Sequence, residues 1–378
     1  VNKKYERMFE SFEFKNGIQV DNRLVMAPMT TWSSNSDYTV SKEEIKYYEK
    51  RAKGPGLIIT GCTPVMPNGI GFTNEFAAYD DKFIPSLKKL SKAAKSGGAK
   101  AILQIFHAGN KAIPQVVGKE NVVSASNVPT GKTSFADSLV PKQLNNDDIL
   151  KIIKAFGDTT RRAIQAGFDG IELHGAHGFL IQNFLSPYYN RRDDNWGGSL
   201  ENRMKFALCI VDEVKSVIDE YADGPFILGY RVSPEESVNG GLRIDDTYGL
   251  IDALINKKVD YIHASLSNAL TSKPVDTKNS SETYLSLINK HINNKVPFIA
   301  AGALTNPRLV EDALKNGLDF AAVGHGLIIN PDWMYNISNN NEEKIQSSIK
   351  LSELDQLKLP DKLWKTIKNS GKWFDIAN

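Results

Sequence analysis

Two cysteines in 378 residues, Cys62 and Cys209, are too few for a disulfide framework or a four-thiolate cluster, and such sparse use suits a reducing compartment. Charge of one sign is also scarce. Forty-six Lys and Arg against 44 Asp and Glu give a formal net charge of +2, and no basic tract stands out, so nothing draws the chain to nucleic acid or to an anionic bilayer. Long hydrophobic runs are missing as well. VNKKYERMFESFEF has no apolar stretch of the secretory kind, and no later segment is long enough to span a membrane; the expectation is a cytoplasmic protein with neither membrane nor nucleic-acid partners. With 41% apolar and 24% charged residues, the rest of the composition is that of an ordinary globular chain.

What the chain does have is a recurring short apolar run. LVMA (24–27), LIIT (57–60), AILQI (101–105), DGIEL (169–173), FILGY (226–230), DYIHA (260–264), PFIAA (297–301) and FAAV (320–323) read as strands covered on both faces. Helical segments alternate with them, among them residues 41–53, 146–167 and 201–221. Eight such strands predict an α/β fold, a (β/α)8 TIM barrel, with a doubly wound open sheet as the alternative that counting alone leaves open. FEFKNGIQVDNR (12–23), with Asn-Gly between alternating apolar residues, predicts a β-hairpin placed to plug the barrel's bottom. The tail after residue 331 reads as a C-terminal helical extension carrying an aromatic patch. The expected unit is a single domain over 1–378, with the barrel at about 22–335 and decoration at 336–378.

Loop lengths point to one working face. Helix-to-strand links such as SGGAK (96–100) and AGF (166–168) are tight, while 106–145, 174–200 and 265–281 after strands are long. Those long loops emerge at the barrel's C-terminal end, where such barrels carry their chemistry. Five of the six histidines, His107, His174, His177, His263 and His325, fall at or just past strand ends. Taken singly, His107 and His263 read as hydrogen-bonded core residues. The stretch HGAHGF (174–179) holds two imidazoles three residues apart, which can point N–H donors at one carbonyl oxygen as negative charge develops there. That chemistry suits hydride addition to an enone and needs an electron carrier. A zinc-dependent barrel hydrolase is the alternative; it wants three or more converging ligands, and NRLVMAPMTTW after the first strand offers none of the usual histidines, so no metal is expected.

NRLVMAPMTTWSS (22–34), GLIITGCTPV (56–65), ILQIFHAGNKA (102–112), the block from Ala166 to Arg203 with HGAHGF, and AAVGHGLIINPDW (321–333) together resemble the old yellow enzyme family of flavin-dependent ene reductases. The resemblance implies FMN held at the C-terminal face and reduced by NADH or NADPH, with hydride then passed to a small-molecule acceptor such as an α,β-unsaturated carbonyl or a quinone. It implies catalytic roles for His174 and His177 on the acceptor oxygen. Ala27, Pro28 and Met29 would present backbone to the flavin, Thr30 a hydroxyl, and Cys62 a small side chain. Gln104 would meet the pyrimidine edge, and Arg231 would stand as a cation near N1 and the C2 carbonyl. Gly302 and Gly324 would cradle the phosphate. The family usually has arginine directly after that second glycine; here it is His325, a titratable partner, so FMN release is expected to become easier as pH rises above neutrality. Trp32 and Phe179 would line the substrate pocket. A homo-oligomer is among the states the resemblance allows.

One departure matters most. Two residues past the second histidine the family commonly carries a tyrosine that protonates the substrate α-carbon; this chain carries Phe179, which has no exchangeable proton. Water, Tyr188 or Tyr189 would have to donate instead, or the acceptor would have to be one, such as a quinone, that needs no carbon protonation. The residues Asn190, Arg192, Asp194, Gly197, Gly198, Asn202 and Arg203 match the family too, and are expected to fold their loop.

Overall fold

A computed structural model describes residues 3–132, 137–276 and 281–377. The long loops after the third and sixth strands therefore contain short stretches, 133–136 and 277–280, that lie outside the described residues. Eight parallel strands form the centre: β1 (Leu24–Met26), β2 (Leu57–Ile59), β3 (Lys100–Phe106), β4 (Gly170–Gly175), β5 (Ile227–Val232), β6 (Tyr261–Ser265), β7 (Phe298–Ala301) and β8 (Phe320–Val323). Each pairs with its sequence neighbours, and β8 pairs with β1 (Ala321 opposite Leu24). The sheet closes through β1 against β2 and β2 against β3, with Leu57 opposite Lys100. It is a closed barrel, and the open-sheet alternative falls. Among the described residues no helix is long and apolar enough to cross a membrane.

The helices α1 (Lys42–Arg51), α2 (Ile84–Lys95), α3 (Asn146–Gln165), α4 (Leu200–Tyr221), α5 (Ile244–Asn256), α6 (Tyr284–Ile292) and α7 (Pro307–Lys315) surround the barrel. Their starts follow local chemistry. Asn145 accepts from the Asp148 N–H at the head of α3, Ser199 from the Asn202 N–H at the head of α4, and Ser41 with Glu44 forms a reciprocal capping box on α1. Inside the barrel, Val25, Leu57, Ile102, Ile227, Ile299 and Phe320 fill one compact cluster. Tyr261 shares that space because Gly229 on the neighbouring strand has no side chain; a Cβ there would fall inside the tyrosine ring.

The hairpin forms as read, with Phe12–Glu13 antiparallel to Gln19–Val20. It plugs the bottom with aromatic rings: Phe12 lies 5.0 Å edge-on and Phe14 5.6 Å stacked from Phe320. At the other end of the chain, Trp333–Ser338 and Asp361–Asn369 are helical, and Ile349 pairs with Ile376. Trp333, Ile349, Leu363, Ile367 and Phe374 are buried in the large cluster that also holds the helix-facing side of the barrel. The extension is therefore packed decoration, and it reaches further than a surface brace would, as its last aromatics show below.

Candidate active site

The geometry begins with the backbone of HGAHGF. His174 closes β4 inside the sheet, and the chain then turns through two left-handed residues, His177 at φ 58° and Gly178 at φ 70°. Left-handed backbone is cheap for glycine and strained for histidine, and strain of that kind gathers at working sites. The outcome is two rings 4.9 Å apart and nearly perpendicular. Burial, first of all, pushes both imidazoles well below their ordinary range, helped by the Arg231 charge, so both are neutral near pH 7. Nδ1 of His174 accepts from the Ala176 N–H at 3.3 Å, which leaves its proton on Nε2. Ser265 Oγ lies 2.6 Å from His177 Nε2 and accepts from Arg231 Nη2 at 3.2 Å. Arginine can only donate, so the serine's own hydrogen is free to go to His177; that assignment puts the His177 proton on Nδ1. Each ring then keeps one N–H to spare.

Arg231 on β5 stands in register with His174 on β4 and His263 on β6. A step deeper, Glu172 accepts from Gln104 Nε2 (2.7 Å) and Tyr261 OH (2.9 Å) and pairs with His263 Nδ1 (2.8 Å), all of them buried. Burial by itself would raise this carboxyl; His263, Arg231 and Gln104 outweigh it and hold Glu172 below its ordinary value, an anion under the site. Two buried nitrogens in this layer, the Arg231 Nε donor and the His263 Nε2 acceptor, have no partner among the described residues.

The β1 and β2 ends make the opposite wall. Ala27 N–H donates to Val323 O at 3.0 Å, tying the Ala27–Met29 segment to the end of β8. Thr30 Oγ1 lies 3.8 Å from Cys62 Sγ, and Cys62 donates to Glu75 at 3.3 Å. Burial pushes both the thiol and that carboxyl well up, so Cys62 is no thiolate. Trp32 meets Phe72 edge-on at 5.8 Å, Phe72 meets Phe179 at 6.3 Å, and Phe179 meets His174 at 5.0 Å. The two aromatics singled out from sequence thus bound one wall, and Phe72 joins them.

Gly302 has φ 149°, and a Cβ there would collide with the Leu266 carbonyl oxygen; its own carbonyl accepts from Ala269 N–H at 2.9 Å. Close packing of the β6 and β7 loops is thus a demand on this glycine independent of any anion. Gly324 faces Met29 and Ala27, and His325 follows it into a short helix. Phe374 packs on His325 at 4.3 Å, and Trp373 lies 5.6 Å from His325 and 5.9 Å from Trp32. Burial lowers the His325 imidazole, so it is already neutral at neutral pH. This corrects the expected pH dependence: any change in its charge falls below pH 6.5, not above neutrality.

The other sequence features have structural explanations. His107 is buried between the Gly109 N–H and Asn68, and His291 stacks on Tyr248. Asn190, Arg192, Asn202 and Arg203 bond to carbonyls of Phe184, Ala125, Gly197 and Leu185 and fold their loop. Tyr188 and Tyr189 pack on each other at 4.9 Å, with Arg191 over Tyr188. Among the described residues no group of three or more His, Cys, Asp or Glu side chains could hold a metal, which removes the ligand set a zinc hydrolase would use. Sequence reading passed over Ser265, Glu172 and Glu75; only register along the strands and the fold of the 66–80 loop bring them in.

A flavin suits this construction, since it would meet the unpartnered Arg231 Nε donor, the free oxygen of the Gln104 amide and the apolar ends of β1 and β2. The model for the NADH:flavin oxidoreductase / NADH oxidase family matches residues 7–344. YqiG of Bacillus subtilis (strain 168), which carries the name "probable NADH-dependent flavin oxidoreductase", is 42% identical over 99% of both chains. The NADH:fumarate oxidoreductase of Klebsiella pneumoniae (strain 342) is 38% identical over 95% of this chain, which spans 39% of that protein's length. Among solved structures, the old yellow enzyme homologue from Zymomonas mobilis superposes with a TM-score of 0.76 over 88% of this chain and 92% of that one, at 23% identity, a likeness of fold. A closed barrel with a built flavin seat and matches that run the length of the chain lead to one conclusion: this protein belongs to the NADH:flavin oxidoreductase / NADH oxidase family and is an FMN- and NAD(P)H-dependent oxidoreductase.

Proposed function

We propose that residues 1–378 work as one unit that hands hydride to a carbonyl-bearing acceptor, an α,β-unsaturated carbonyl or a quinone, whose oxygen sits between His174 and His177. Bound FMN supplies the two-electron carrier between NAD(P)H and that acceptor. The residues of the chain do the rest. The spare N–H groups of two neutral imidazoles stabilise the acceptor oxygen as it gains negative charge, and donors already fixed in place need little reorganisation to do so. Arg231 supplies fixed positive charge beside the flavin seat, with Gln104, Thr30, Cys62 and the Ala27–Met29 segment around it. Gly302, Gly324 and His325 lie where the phosphate end would go. Trp32, Phe72 and Phe179 keep water from the reacting face.

The observation that carries this reading is the facing pair of imidazoles, 4.9 Å apart, beside Arg231 on the adjoining strand. The names of two relatives favour an unsaturated acceptor: the fumarate oxidoreductase above and the NADH:acrylate oxidoreductase of Vibrio harveyi, of which this chain spans 36%. The test is direct. Protein loaded with FMN should be yellow, bleach anaerobically with NADH, and recolour with 2-cyclohexenone or a benzoquinone. His174→Ala should slow recolouring by those two acceptors by roughly 100-fold, the usual loss for one oxyanion donor. Protein that NADH does not bleach, or a His174→Ala rate equal to wild type, counts against the reading.

A further inference from the structure

The acceptor needs a proton as well as a hydride, and Phe179 cannot give one. Three candidate donors can be compared. The Tyr188 and Tyr189 rings pack on each other, with Arg191 over Tyr188. Cys62 donates to Glu75 in a buried pair whose carboxyl also accepts from the Gly71 N–H. The third is Lys111, in the turn Gly109–Lys111 that follows β3. Its Nζ donates to the His177 carbonyl oxygen at 2.5 Å and lies 5.8 Å from the centre of the Phe179 ring. It is also so close to residue 178 that a Cβ there would come within 2.8 Å of it, so Gly178 is the residue that admits the ammonium.

The contact is built in by the backbone on both sides. The Leu180 N–H donates to His107 O at 3.0 Å and the Asn110 N–H to Asn183 Oδ1 at 3.2 Å, joining the lysine's turn to the histidine turn and the helix after it. No ion pair ties Lys111 down among the described residues. The carboxylate that pulls on it, Glu236, is engaged by Gln182, Ser186 and the Leu242 N–H. Burial of the ammonium end lowers Lys111 from its ordinary value, against that pull from Glu236. The side chain as a whole is nevertheless exposed, so water can recharge it.

We propose that Lys111 is the general acid of the acceptor half-reaction, standing in for the hydroxyl that position 179 lacks. The inference rests on the flavin reading above. For an enone the balance is as follows. Hydride from the reduced cofactor forms a C–H bond at the β-carbon, and the C=C electron pair moves toward the oxygen held by His174 and His177. The α-carbon then takes H+ from Nζ of Lys111. The products are the saturated carbonyl, the oxidised cofactor and a neutral amine, which regains H+ from solvent. With a quinone, the same proton goes to an oxygen.

The test separates proton delivery from electron delivery. FMN-loaded protein is reduced anaerobically with NADH and mixed in single turnovers with 2-cyclohexenone, or with ferricyanide, which takes electrons without a proton. In Lys111→Met the ratio of enone rate to ferricyanide rate should fall about 100-fold, within the usual range for a general acid. Adding Phe179→Tyr in the same background should restore at least tenfold of it, whereas the same change in the wild type should add little. In the flavin-free protein, NMR titration of dimethylated lysines should show one residue titrating below the others and missing from Lys111→Met. An unchanged ratio in Lys111→Met overturns the proposal, as does a proportionate loss with both acceptors or a fall in the ratio only on Glu75→Gln. Protein that NADH does not bleach is a different result, since it removes the flavin reading itself.

Discussion

Ser265 shows what a single side chain does here that its sequence context does not reveal. Its hydroxyl accepts from Arg231 and sits 2.6 Å from His177 Nε2, so it fixes which nitrogen of His177 carries the proton. Ser265→Ala leaves that ring free to hold either tautomer, and the half with the wrong one cannot donate to the acceptor. The expected outcome is an acceptor KM about twofold higher, the cost of a half-populated competent tautomer, with NMR of the His177 ring showing both tautomers. A variant ring that still shows a single tautomer would mean that the backbone alone orients the imidazole. His174 and His177 could be read from the sequence because only two residues and a tight turn separate them. Ser265 lies 88 residues from His177, and Glu172 lies 68, 89 and 91 residues from Gln104, Tyr261 and His263. No local window reaches that far; only parallel register between strands brings such residues together. Cys62 was legible as a small buried residue but not as the partner of Glu75, because their meeting depends on a loop with no periodic pattern.

At the scale of elements, the barrel was legible because each strand is apolar on both faces and five of the seven surrounding helices begin at a Ser, Thr or Asn that caps them. Strand limits moved by only a residue or two. The head of α1 does more than cap, however. Glu44 accepts from the Ser41 N–H at 2.9 Å to complete the box, and its other oxygen accepts from Thr31 Oγ1 at 2.6 Å, between Thr30 and Trp32 of the flavin wall. Complete burial pushes this carboxyl up to about 7, against the pull of Thr31 and Ser41. The sign follows from proton counting. Between the ordinary glutamate value and about 7 the folded chain keeps a proton that the unfolded chain has released, so stability falls as pH rises through that window and levels off above it. The contribution is on the order of 3 kcal/mol across the window. Urea denaturation from pH 4.5 to 8 should show that decline, and Glu44→Gln should flatten it. A wild-type profile that climbs toward pH 7 would show the carboxylate to be paired rather than merely buried.

On the scale of the whole molecule, the chain's end returns to its beginning across the working face. Trp373 touches both Trp32, just past β1, and His325, just past β8, while Phe374 covers the His325 ring. A tail rich in polar residues gives no sign in sequence of where its last aromatics will land, since that depends on how Ile349 pairs with Ile376 and how Leu363 and Ile367 dock. Its consequence is electrostatic as well as steric. The two rings press on one side of an otherwise exposed imidazole and disfavour its charged form, so a phosphate seated there would meet backbone N–H groups and a neutral ring rather than a cation. Phe374→Ala removes the closer of these ring contacts. The imidazole's NMR titration midpoint should then rise toward 6.5, and FMN should bind more tightly below that pH than above it. At pH 8, where the ring is neutral with or without its cover, only the lost packing remains, and the FMN dissociation constant should rise about tenfold, or ~1.4 kcal/mol. Equilibrium dialysis at pH 6 and pH 8 separates the two effects. An unmoved His325 midpoint with unchanged FMN affinity at both pH values would show that the tail merely lies on the face without shaping it.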